Sequence, residues 1–302
     1  MFQGWTVVLG FLVVSAVTRI ESASASVLHG NVVFHVMNYN IHGMVFQPRK
    51  VDHSRYKKIG KILKARMQAG TAPDVVLIQE AFQRRTDELM EEAGYPYMVR
   101  GPKGTLGRIG SGLVIMSKYP IEFKDKKIYR ECAGVDCLSR KGLHIARIRH
   151  PQIPFTIDLL NTHMQADYED RRLAGYERAE KVRIQQAYDS GLFYNQKSIA
   201  PIGFFAGDFN SKRGMQSYNI VMSMTEMHST LADCAQLTTC SPGENPEAWF
   251  QNFIDHQFYT YDPNAGIVVA PLSIRRTFTG EQGDHPELSD HAAIEAKYRI
   301  SW

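Results

Sequence analysis

The apolar segment at residues 201–206 is the sequence feature that most constrains how this chain can fold. It reads Pro-Ile-Gly-Phe-Phe-Ala between polar flanks, a pattern that predicts a strand buried on both faces. Asp208 and Asn210 follow directly after Gly207. If the chain stays extended, these two side chains point the same way and Phe209 turns back toward apolar packing. Two polar groups that leave a buried strand together suit a phosphate, a hard metal ion or an attacking water.

Segments of strand and helix character are mixed through the rest of the chain. Apolar runs predict further strands at residues 31–37, 74–78, 113–116, 143–148, 155–160, 253–261 and 292–298. Apolar residues at helical spacing predict helices at residues 52–69, 84–93 and 168–188. No shift in composition divides the chain after its first residues. We therefore predict one α/β domain over residues 26–302, with sheets inside and helices outside.

The first residues have the composition of a targeting segment. Residues 5–17 are almost wholly apolar, and Ala23-Ser24-Ala25 forms a small-x-small cleavage site. The apolar run is shorter than the about 20 residues that a membrane span needs. We predict a cleaved signal peptide at residues 1–25 and a secreted or periplasmic protein. An N-terminal anchor and a buried helix are the alternatives, and no Lys or Arg precedes the apolar run.

The spacing of the cysteines favours disulfide bonds. The chain has 4 cysteines, in two close pairs, Cys132/Cys137 and Cys234/Cys240. In a secreted chain this spacing favours two disulfides, each closing a small loop, which is one of the three possible connectivities. A metal site is the alternative, but no histidine lies at zinc-ligand spacing to either pair.

The net charge of +4 permits an anionic substrate or membrane surface. No concentrated Lys/Arg run of a dedicated nucleic-acid binder is present.

Polar residues recur where the predicted strands end or begin. Each alone has an ordinary explanation: Glu80 as a solvated carboxylate, His163 as a structural histidine, Asp290 as a cap. Their combination at successive strand ends is more specific to a site. The set comprises Asn40, Glu80, His163, Asp208, Asn210, Asp290 and His291.

The order of these segments resembles the endonuclease/exonuclease/phosphatase superfamily, the deoxyribonuclease I-like metal phosphodiesterases and phosphatases. The resemblance spans nearly all of the chain after residue 25. It implies a four-layer α/β sandwich, with two β-sheets packed face to face and flanked by helices. The matching segments are Asn38-Tyr39-Asn40-Ile41, Ile78-Gln79-Glu80, residues 112–121, Asn161-Thr162-His163, Gly207-Asp208-Phe209-Asn210 and Ser289-Asp290-His291.

Three segments are similar, more specifically, to the secreted neutral sphingomyelinases. They are residues 137–142, Thr162-His163-Met164-Gln165-Ala166 and residues 254–259. Bacterial members of that group insert an aromatic-tipped hairpin late in the chain to grip the bilayer. Here residues 271–286 are polar and charged, with Phe278 as the single Phe, Tyr or Trp. This chain therefore departs from the bacterial pattern of membrane docking.

The resemblance implies a metal-assisted hydrolysis in which charge on the phosphoryl oxygens is neutralised and a water attacks in line. Glu80 would hold Mg²⁺, with Mn²⁺ or Co²⁺ as alternatives, because hard cations prefer carboxylate oxygens. Asn40 would help to place the metal or the phosphate, and Asp290 is a further candidate ligand.

The remaining candidates would handle the proton and the phosphate. His291 would accept the proton of the attacking water, since its unperturbed pKa lies near neutrality. Asp290 or Asp255 would orient its imidazole, and Asp208 would polarise the water or the leaving group. His163 and Asn210 would donate to phosphate oxygens, and Lys141 is a further candidate for substrate binding, whereas we expect Lys118 at the surface.

The predicted function is secreted, Mg²⁺-dependent hydrolysis of sphingomyelin to ceramide and phosphocholine, with a phospholipid membrane surface as the partner. A nuclease of the deoxyribonuclease I type is the first alternative, with nucleic acid as its substrate. Its backbone contacts could come from Arg171, Arg172, Arg178 and Lys181, which more often form a solvated helix face. A phosphoinositide-type phosphatase and a binding protein without turnover are further alternatives. No protein partner is implied.

Overall fold

The computed structural model describes Met1 and residues 29–43, 54–167, 175–243, 252–279 and 288–302. Apart from Met1, the predicted signal peptide lies outside the described residues, as do Arg171, Arg172 and residues 280–286 of the polar segment. Within the described ranges, no helix combines the length and the apolar character needed to cross a membrane.

Two six-stranded sheets contain the described strands. The first sheet has the order β11-β12-β1-β2-β4-β3. Its strands are β1 (Asn31–Asn40), β2 (Val75–Gln79), β3 (Tyr97–Arg100), β4 (Val114–Ser117), β11 (Val268–Thr277) and β12 (Ala293–Ser301). The second sheet has the order β5-β6-β7-β8-β10-β9. Its strands are β5 (Ile121–Ile128), β6 (Gly142–Arg149), β7 (Thr156–His163), β8 (Ile202–Asp208), β9 (His228–Ser229) and β10 (Asp255–Tyr261).

Helices cover the outer faces of these sheets. The described α-helices are α1 (Ser54–Gln68), α2 (Asp87–Ala93), α3 (Tyr176–Lys197), α4 (Gln216–Thr225) and α5 (Thr230–Gln236). Short 3₁₀ turns lie at Arg84–Thr86, Gly134–Leu138 and Pro263–Ala265. Apolar residues of α1 and α2, such as Tyr56 and Leu89, pack on the first sheet. Residues of α3 and α4, such as Ala187 and Val221, pack on the second sheet.

Aromatic side chains fill the space between the sheets. The ring of Phe34 on β1 lies 5.3 Å from that of Phe204 on β8, and Phe204 lies 4.7 Å from Tyr298 on β12. All three residues are buried, so the two sheets share one apolar interior. The layers therefore run helix, sheet, sheet, helix, and the predicted four-layer α/β sandwich is confirmed.

The strand directions bring one end of each sheet to the same edge. β1 and β2 are parallel neighbours in the first sheet, and β7 and β8 are parallel neighbours in the second. Their carboxyl ends meet, since the Asn40 side chain contacts Asp208 across the sheets. β12 runs antiparallel to β1, and β10 runs antiparallel to β8, so both begin at this edge. Six strand ends thus surround one small volume, at the place where loops carry functional residues.

Four described strands and two helices escaped the sequence prediction. β3, β5, β9 and β11 lie at sheet edges, where the apolar runs are short or broken by polar and charged residues. The segment predicted to be rich in loops contains α4 and α5. The described part of the long helix begins at Tyr176 and continues to Lys197, past the predicted end at Tyr188. It continues because Ser190 and Gly191 pack against neighbouring segments. The Ser190 hydroxyl lies 2.7 Å from the Tyr129 hydroxyl, and Gly191 lies against the Met224 side chain.

Both predicted disulfides are confirmed. Cys132 pairs with Cys137 and Cys234 pairs with Cys240, with Cα atoms 5.2 Å and 5.1 Å apart. Each bridge closes a short loop, so each stabilises local geometry more than the whole fold. The first bridge encloses the 3₁₀ turn that precedes β6, and β6 runs beside the strand that ends at His163.

Candidate active site

Asp208, at the end of β8, is the centre of the polar cluster at the shared edge. Its Oδ2 accepts a hydrogen bond of 2.9 Å from the Asn40 amide at the end of β1. The same oxygen lies 3.5 Å from His163 Nε2 and 3.9 Å from His291 Nε2. Glu80 joins the cluster because its Oε1 accepts from the Asn40 amide at 3.1 Å. Five predicted site residues from separate strand ends therefore lie in contact or near contact.

Asn40 holds the two carboxylates in place. Its side-chain oxygen accepts from the backbone N–H of His42 at 3.0 Å, so the amide nitrogen faces Glu80 and Asp208. Its backbone carbonyl accepts from the Ser289 hydroxyl at 2.7 Å, which ties β1 to the loop that carries His291. Asn40 thus presents a donor to the carboxylates, and its oxygen is already engaged.

The chain turns sharply after Asp208. Asn210 has a φ of +49°, and its N–H donates to Asp208 Oδ1 at 2.9 Å, so the extended alternation expected from the sequence stops at the strand end. Phe209 nevertheless turns inward, against Phe205 at 5.1 Å. The Asn210 amide donates to the Met164 carbonyl at 3.2 Å, which places it beside the end of β7. A Cβ at Gly207 would lie 2.2 Å from the Thr162 carbonyl oxygen, so only glycine fits this approach of β8 to β7.

His291 is held by Asp255. Its Nδ1 lies 2.7 Å from Asp255 Oδ2, which leaves Nε2 on the side of Asp208. Burial opposes the charged imidazole, but the carboxylates of Asp255, Asp208 and Asp290 outweigh it and raise the pKa of His291 to about 11. A His–Asp pair whose second nitrogen faces a reacting group is the arrangement that general base catalysis uses.

Asp290 lies at the rim of the cluster. Its carboxylate is more than half exposed and contacts His42 Nδ1 at 3.1 Å. Its described contacts do not include the His291 ring. Asp255, the second of the two partners considered from the sequence, occupies that position. The groups of metal-binding type within the described residues are Glu80/His163/Asp208 and Asp208/Asp255/His291, without Asp290.

Lys141 lies inside the cluster, whereas Lys118 lies apart from it. The Lys141 ammonium donates to Asp136 Oδ2 at 2.8 Å, to His163 Nε2 at 3.1 Å and to the Met164 carbonyl at 2.8 Å. His163 Nε2 is then an acceptor, and burial with the Lys141 and His291 charges holds the pKa of His163 well below its usual value. Lys118 is partly buried rather than freely exposed, because it donates to the Ala72 carbonyl and to Asp74.

Several positioning residues were missed from the sequence. Asp136, next to Cys137 in the first disulfide loop, receives the Lys141 ion pair. The buried guanidinium of Arg55 donates to the Ile41 carbonyl at 2.9 Å and to the Leu288 carbonyl at 2.7 Å, which joins the exits that carry Asn40 and His291. Neither residue is part of an apolar pattern or a motif. The cysteine pair was the only signal in the sequence near Asp136. It predicted a closed loop, but it did not indicate that the Asp136 carboxylate binds Lys141.

A layer of buried amides lies beneath the cluster. Gln79 donates to the side-chain oxygens of Asn38 and Asn161, at 2.7 Å in each case. Asn38 donates to the Gly207 carbonyl at 3.3 Å, and Asn161 donates to the Ile78 carbonyl at 2.9 Å. These amides join the two sheets directly below Asn40, Glu80 and His163. Polar residues inside otherwise apolar strands, one or two positions before each site residue, were the signal for this layer.

The carboxylates of the site are crowded and incompletely balanced. Burial raises the pKa of Asp208 to about 7, with Asp255 adding to the effect, and burial also raises the pKa of Glu80. Within the described residues, Glu80 Oε2, Asp255 Oδ1 and His163 Nδ1 are buried without a hydrogen-bond partner. In each of the two metal-type groups the candidate ligand atoms lie within 4.8 Å of one another. Buried acidic oxygens without partners fit a hard divalent cation.

A cavity opens beside the His–Asp pair. It has a volume of about 360 Å³, and His291 and Asp255 are among its lining residues. Phe253, Arg276, Asn252 and Asp290 line it as well. The cavity therefore combines a reacting end, formed by the His–Asp pair, with an aromatic and a cationic side chain.

Two curated relatives of this chain carry the name of sphingomyelinases. A putative neutral sphingomyelinase of Drosophila melanogaster is 24% identical over 282 residues, which cover 88% of this chain and 60% of that protein. Sphingomyelinase C of Listeria ivanovii is 27% identical over 190 residues, 57% of this chain and 55% of that protein. The chain thus spans less than two thirds of the length of either relative.

A solved structure and a family model extend the comparison. A variant of beta toxin from Staphylococcus aureus, with bound magnesium ions, has a TM-score of 0.60 at 18% identity and covers 88% of this chain and 99% of that one. At this identity the likeness establishes the fold. The model of the endonuclease/exonuclease/phosphatase family matches residues 37–291, from β1 to the His291 that faces Asp208. With its two-sheet sandwich and its convergent strand ends, this chain belongs to the endonuclease/exonuclease/phosphatase family.

Proposed function

We propose that this protein is a secreted or periplasmic, Mg²⁺-dependent phosphodiesterase that hydrolyses sphingomyelin to ceramide and phosphocholine, with residues 26–302 as one catalytic domain. The observation that carries the proposal is the position of His291. Its Nδ1 is held by Asp255 at 2.7 Å, while its Nε2 faces a buried Asp208 that has no Lys or Arg partner within hydrogen-bonding distance among the described residues. Such an arrangement activates a water for attack on phosphorus.

With a cation balancing the carboxylates that raise its pKa, neutral His291 would take the proton from the attacking water at Nε2, and Asp255 would hold the ring in the required orientation. Asp208 lies between the Asn40 amide and the two histidines, where its carboxylate positions the water or the leaving oxygen. In-line attack then breaks the bond from phosphorus to the ceramide oxygen, which takes up a proton from solvent and leaves as the ceramide hydroxyl. These contacts matter most as charge builds in the transition state.

Phosphate oxygens are bound on the opposite side of Asp208. Asn210 and Lys141 both donate to the Met164 carbonyl, and Lys141 also contacts His163. This places an amide, an ammonium and an imidazole around one point at the end of β7. Reorientation of any of these donors toward a phosphoryl oxygen supplies a charge-assisted hydrogen bond.

Glu80 would hold the metal ion, with Asp208 as the nearest further carboxylate and Asn40 orienting both carboxylates. The buried Glu80 Oε2 without a partner is the observation that supports this assignment. When bound, a hard divalent cation neutralises the carboxylates and polarises a phosphoryl oxygen. Mn²⁺ and Co²⁺ share the preference for oxygen and nitrogen donors and are alternatives to Mg²⁺.

Two substrate assays test the proposal. Purified protein is incubated with sphingomyelin vesicles and, separately, with plasmid DNA, and released phosphocholine and nicked DNA are measured. We expect phosphocholine release that stops with a chelator and returns with Mg²⁺. DNA cleavage without phosphocholine release would overturn the lipid assignment in favour of a nuclease, and full activity in excess chelator would overturn the metal assignment. Release of inorganic phosphate from phosphoinositides would point instead to the phosphatase alternative.

A further inference from the structure

The loop before β4 ends in an exposed apolar tip. Thr105 and Arg108 pair through two backbone hydrogen bonds, of 2.9 Å and 3.1 Å, which forms a tight hairpin around Leu106 and Gly107. Gly107 has a φ of +83°, which a tight turn of this kind requires. The Leu106 side chain has a relative exposure of 106% and therefore makes no apolar packing contact.

A second loop lies directly against this hairpin. The Ile109 N–H donates to the Leu138 carbonyl at 2.9 Å, and the Arg140 N–H donates to the Ile109 carbonyl at 3.0 Å. The Arg140 guanidinium also donates to the Lys103 carbonyl at 2.8 Å. Leu138 is 47% exposed. We call residues 103–108 and 138–140 together the two-loop surface.

The charge of the two-loop surface has one sign. Residues 103–108 carry Lys103 and Arg108, both exposed, and no acidic residue. Residues 138–140 add Arg140. Asp136, the nearest acidic residue before this segment, is buried and paired with Lys141. Exposed leucines flanked by cations are complementary to an anionic lipid surface, where apolar groups enter the interface and Lys or Arg contact the headgroups.

Both loops lead directly into the site. The hairpin continues to Gly112, whose carbonyl accepts from the Ala81 N–H, next to Glu80. The second loop continues to Lys141, whose ammonium contacts His163. Lys141 lies three positions after Leu138, and Gly112 lies six positions after Leu106. These segments span at most about 11 Å and about 22 Å when fully extended.

We propose that the two-loop surface docks the protein on anionic lipid bilayers and presents the site to headgroups in the membrane. The role of docking in catalysis rests on the proposed function, but membrane binding can be measured without turnover. Docking in this way assigns bilayer contact to a leucine-tipped hairpin before β4.

Vesicle cosedimentation tests the docking. The probes are sphingomyelin-free vesicles of phosphatidylcholine, alone and mixed with phosphatidylserine. We expect binding to the phosphatidylserine vesicles that weakens with salt and falls about tenfold or more in Leu106→Asp and in Arg108→Glu. Ile199→Asp is the matched control, because Ile199 is 76% exposed and lies just before β8, at the end of the strand opposite Asp208. Equal binding by Leu106→Asp and the parent protein, or an equal loss in Ile199→Asp, would overturn the proposal.

A second readout separates docking from catalysis. Leu106→Asp should slow hydrolysis of sphingomyelin in phosphatidylserine-containing vesicles and leave hydrolysis of a short-chain, water-soluble sphingomyelin unchanged. An equal loss on both substrates would contradict a docking role. If the protein cleaves no sphingomyelin but its vesicle binding still depends on Leu106, the docking inference is supported and the proposed function fails. If it cleaves both substrates and Leu106→Asp slows neither, the docking inference fails and the proposed function stands.

Discussion

Glu295 and Asp208 are both fully buried carboxylates, and the fold treats them in opposite ways. Glu295, on β12, accepts from Arg66 at 2.6 Å and 2.8 Å and from Thr277 at 2.9 Å, and it lies 3.0 Å from His35 Nε2. Burial raises the pKa of Glu295, but the hydrogen bonds and charges of Arg66 and His35 outweigh burial and hold it well below its usual range. Burial, together with the charge of Asp255, raises the pKa of Asp208 to about 7.

The difference separates a structural from a functional use of buried charge. A buried carboxylate with cations and donors on every side keeps the sheet and α1 in register, but it has no capacity left for a ligand. A buried carboxylate crowded by others destabilises the ligand-free protein, and a cation or a transition state relieves that cost when it binds. Each carboxylate therefore predicts a different response to substitution.

The largest effect is expected at the His–Asp pair of the site. His291→Ala removes the proposed base and should lower sphingomyelin turnover by about 10²–10⁴-fold while the thermal midpoint changes little. The measurements are phosphocholine release and thermal unfolding. His228→Ala is the matched control, since His228 also pairs with an aspartate, Asp233, outside the site. Near-normal turnover of His291→Ala would remove His291 from the mechanism.

The next effect is expected at Glu295 and should concern stability alone. Glu295→Gln leaves Arg66 and His35 without their balancing charge and should lower the free energy of unfolding by about 3 kcal/mol. Turnover per folded molecule should be unchanged, because Glu295 does not contact the site residues. Denaturant unfolding measures the loss. Glu122→Gln, in an exposed pair with Arg149, is the control and should leave the midpoint in place. An unchanged free energy of unfolding in Glu295→Gln would show that the two carboxylates do not differ as proposed.

Acid should remove the contribution of Glu295 selectively. The folded-state pKa of Glu295 lies below the unfolded value of about 4.3, so its stabilisation is complete above that pH. As pH falls through about 4 and below, the unfolded chain takes up the proton first and the stabilisation is lost. The difference in unfolding free energy between the parent and Glu295→Gln should therefore shrink from neutral pH toward pH of about 3. A difference that is constant with pH would contradict this account.

The smallest effect, and the sharpest contrast, is expected for the stability of Asp208→Asn. Removing one of the crowded charges should raise the unfolding free energy of the metal-free protein by about 1 kcal/mol while turnover collapses. Asp158→Asn is the matched comparison. Asp158 is equally buried but is paired with Arg147 at 2.7 Å and 2.9 Å, so its substitution should destabilise the protein. Strong destabilisation by both substitutions would mean that Asp208 is also a structural carboxylate.

The sequence predicts the central strands well because they are buried on both faces. β2 and β8 read as continuous apolar runs, and the motif residues follow at their ends, so the convergence of Glu80 and Asp208 could be expected from the resemblance. β5 could not be found this way, because its edge position leaves charged residues along most of its length. An apolar pattern in the sequence indicates burial, and an edge strand is only partly buried, so its pattern is weak.

Contacts between distant residues set the remaining limits. Arg66 and Glu295 are 229 positions apart, and neither belongs to a motif, so their ion pair follows only from the packing of α1 on the first sheet. Arg55 is similar, since its guanidinium joins two loops that are far apart in sequence. The amides of Asn38, Gln79 and Asn161 were visible as polar residues in apolar strands. Which oxygen each one faces depends on the distance between the sheets, which no local pattern contains.

The first disulfide links the site to the redox state of its surroundings. The Cys132–Cys137 bridge encloses Asp136, the carboxylate that holds Lys141, and it is followed directly by Leu138. Closing this short loop limits how far Asp136 can move, and with it the Lys141 ammonium beside His163. An oxidising compartment sustains this constraint, which accords with the proposed secreted or periplasmic location.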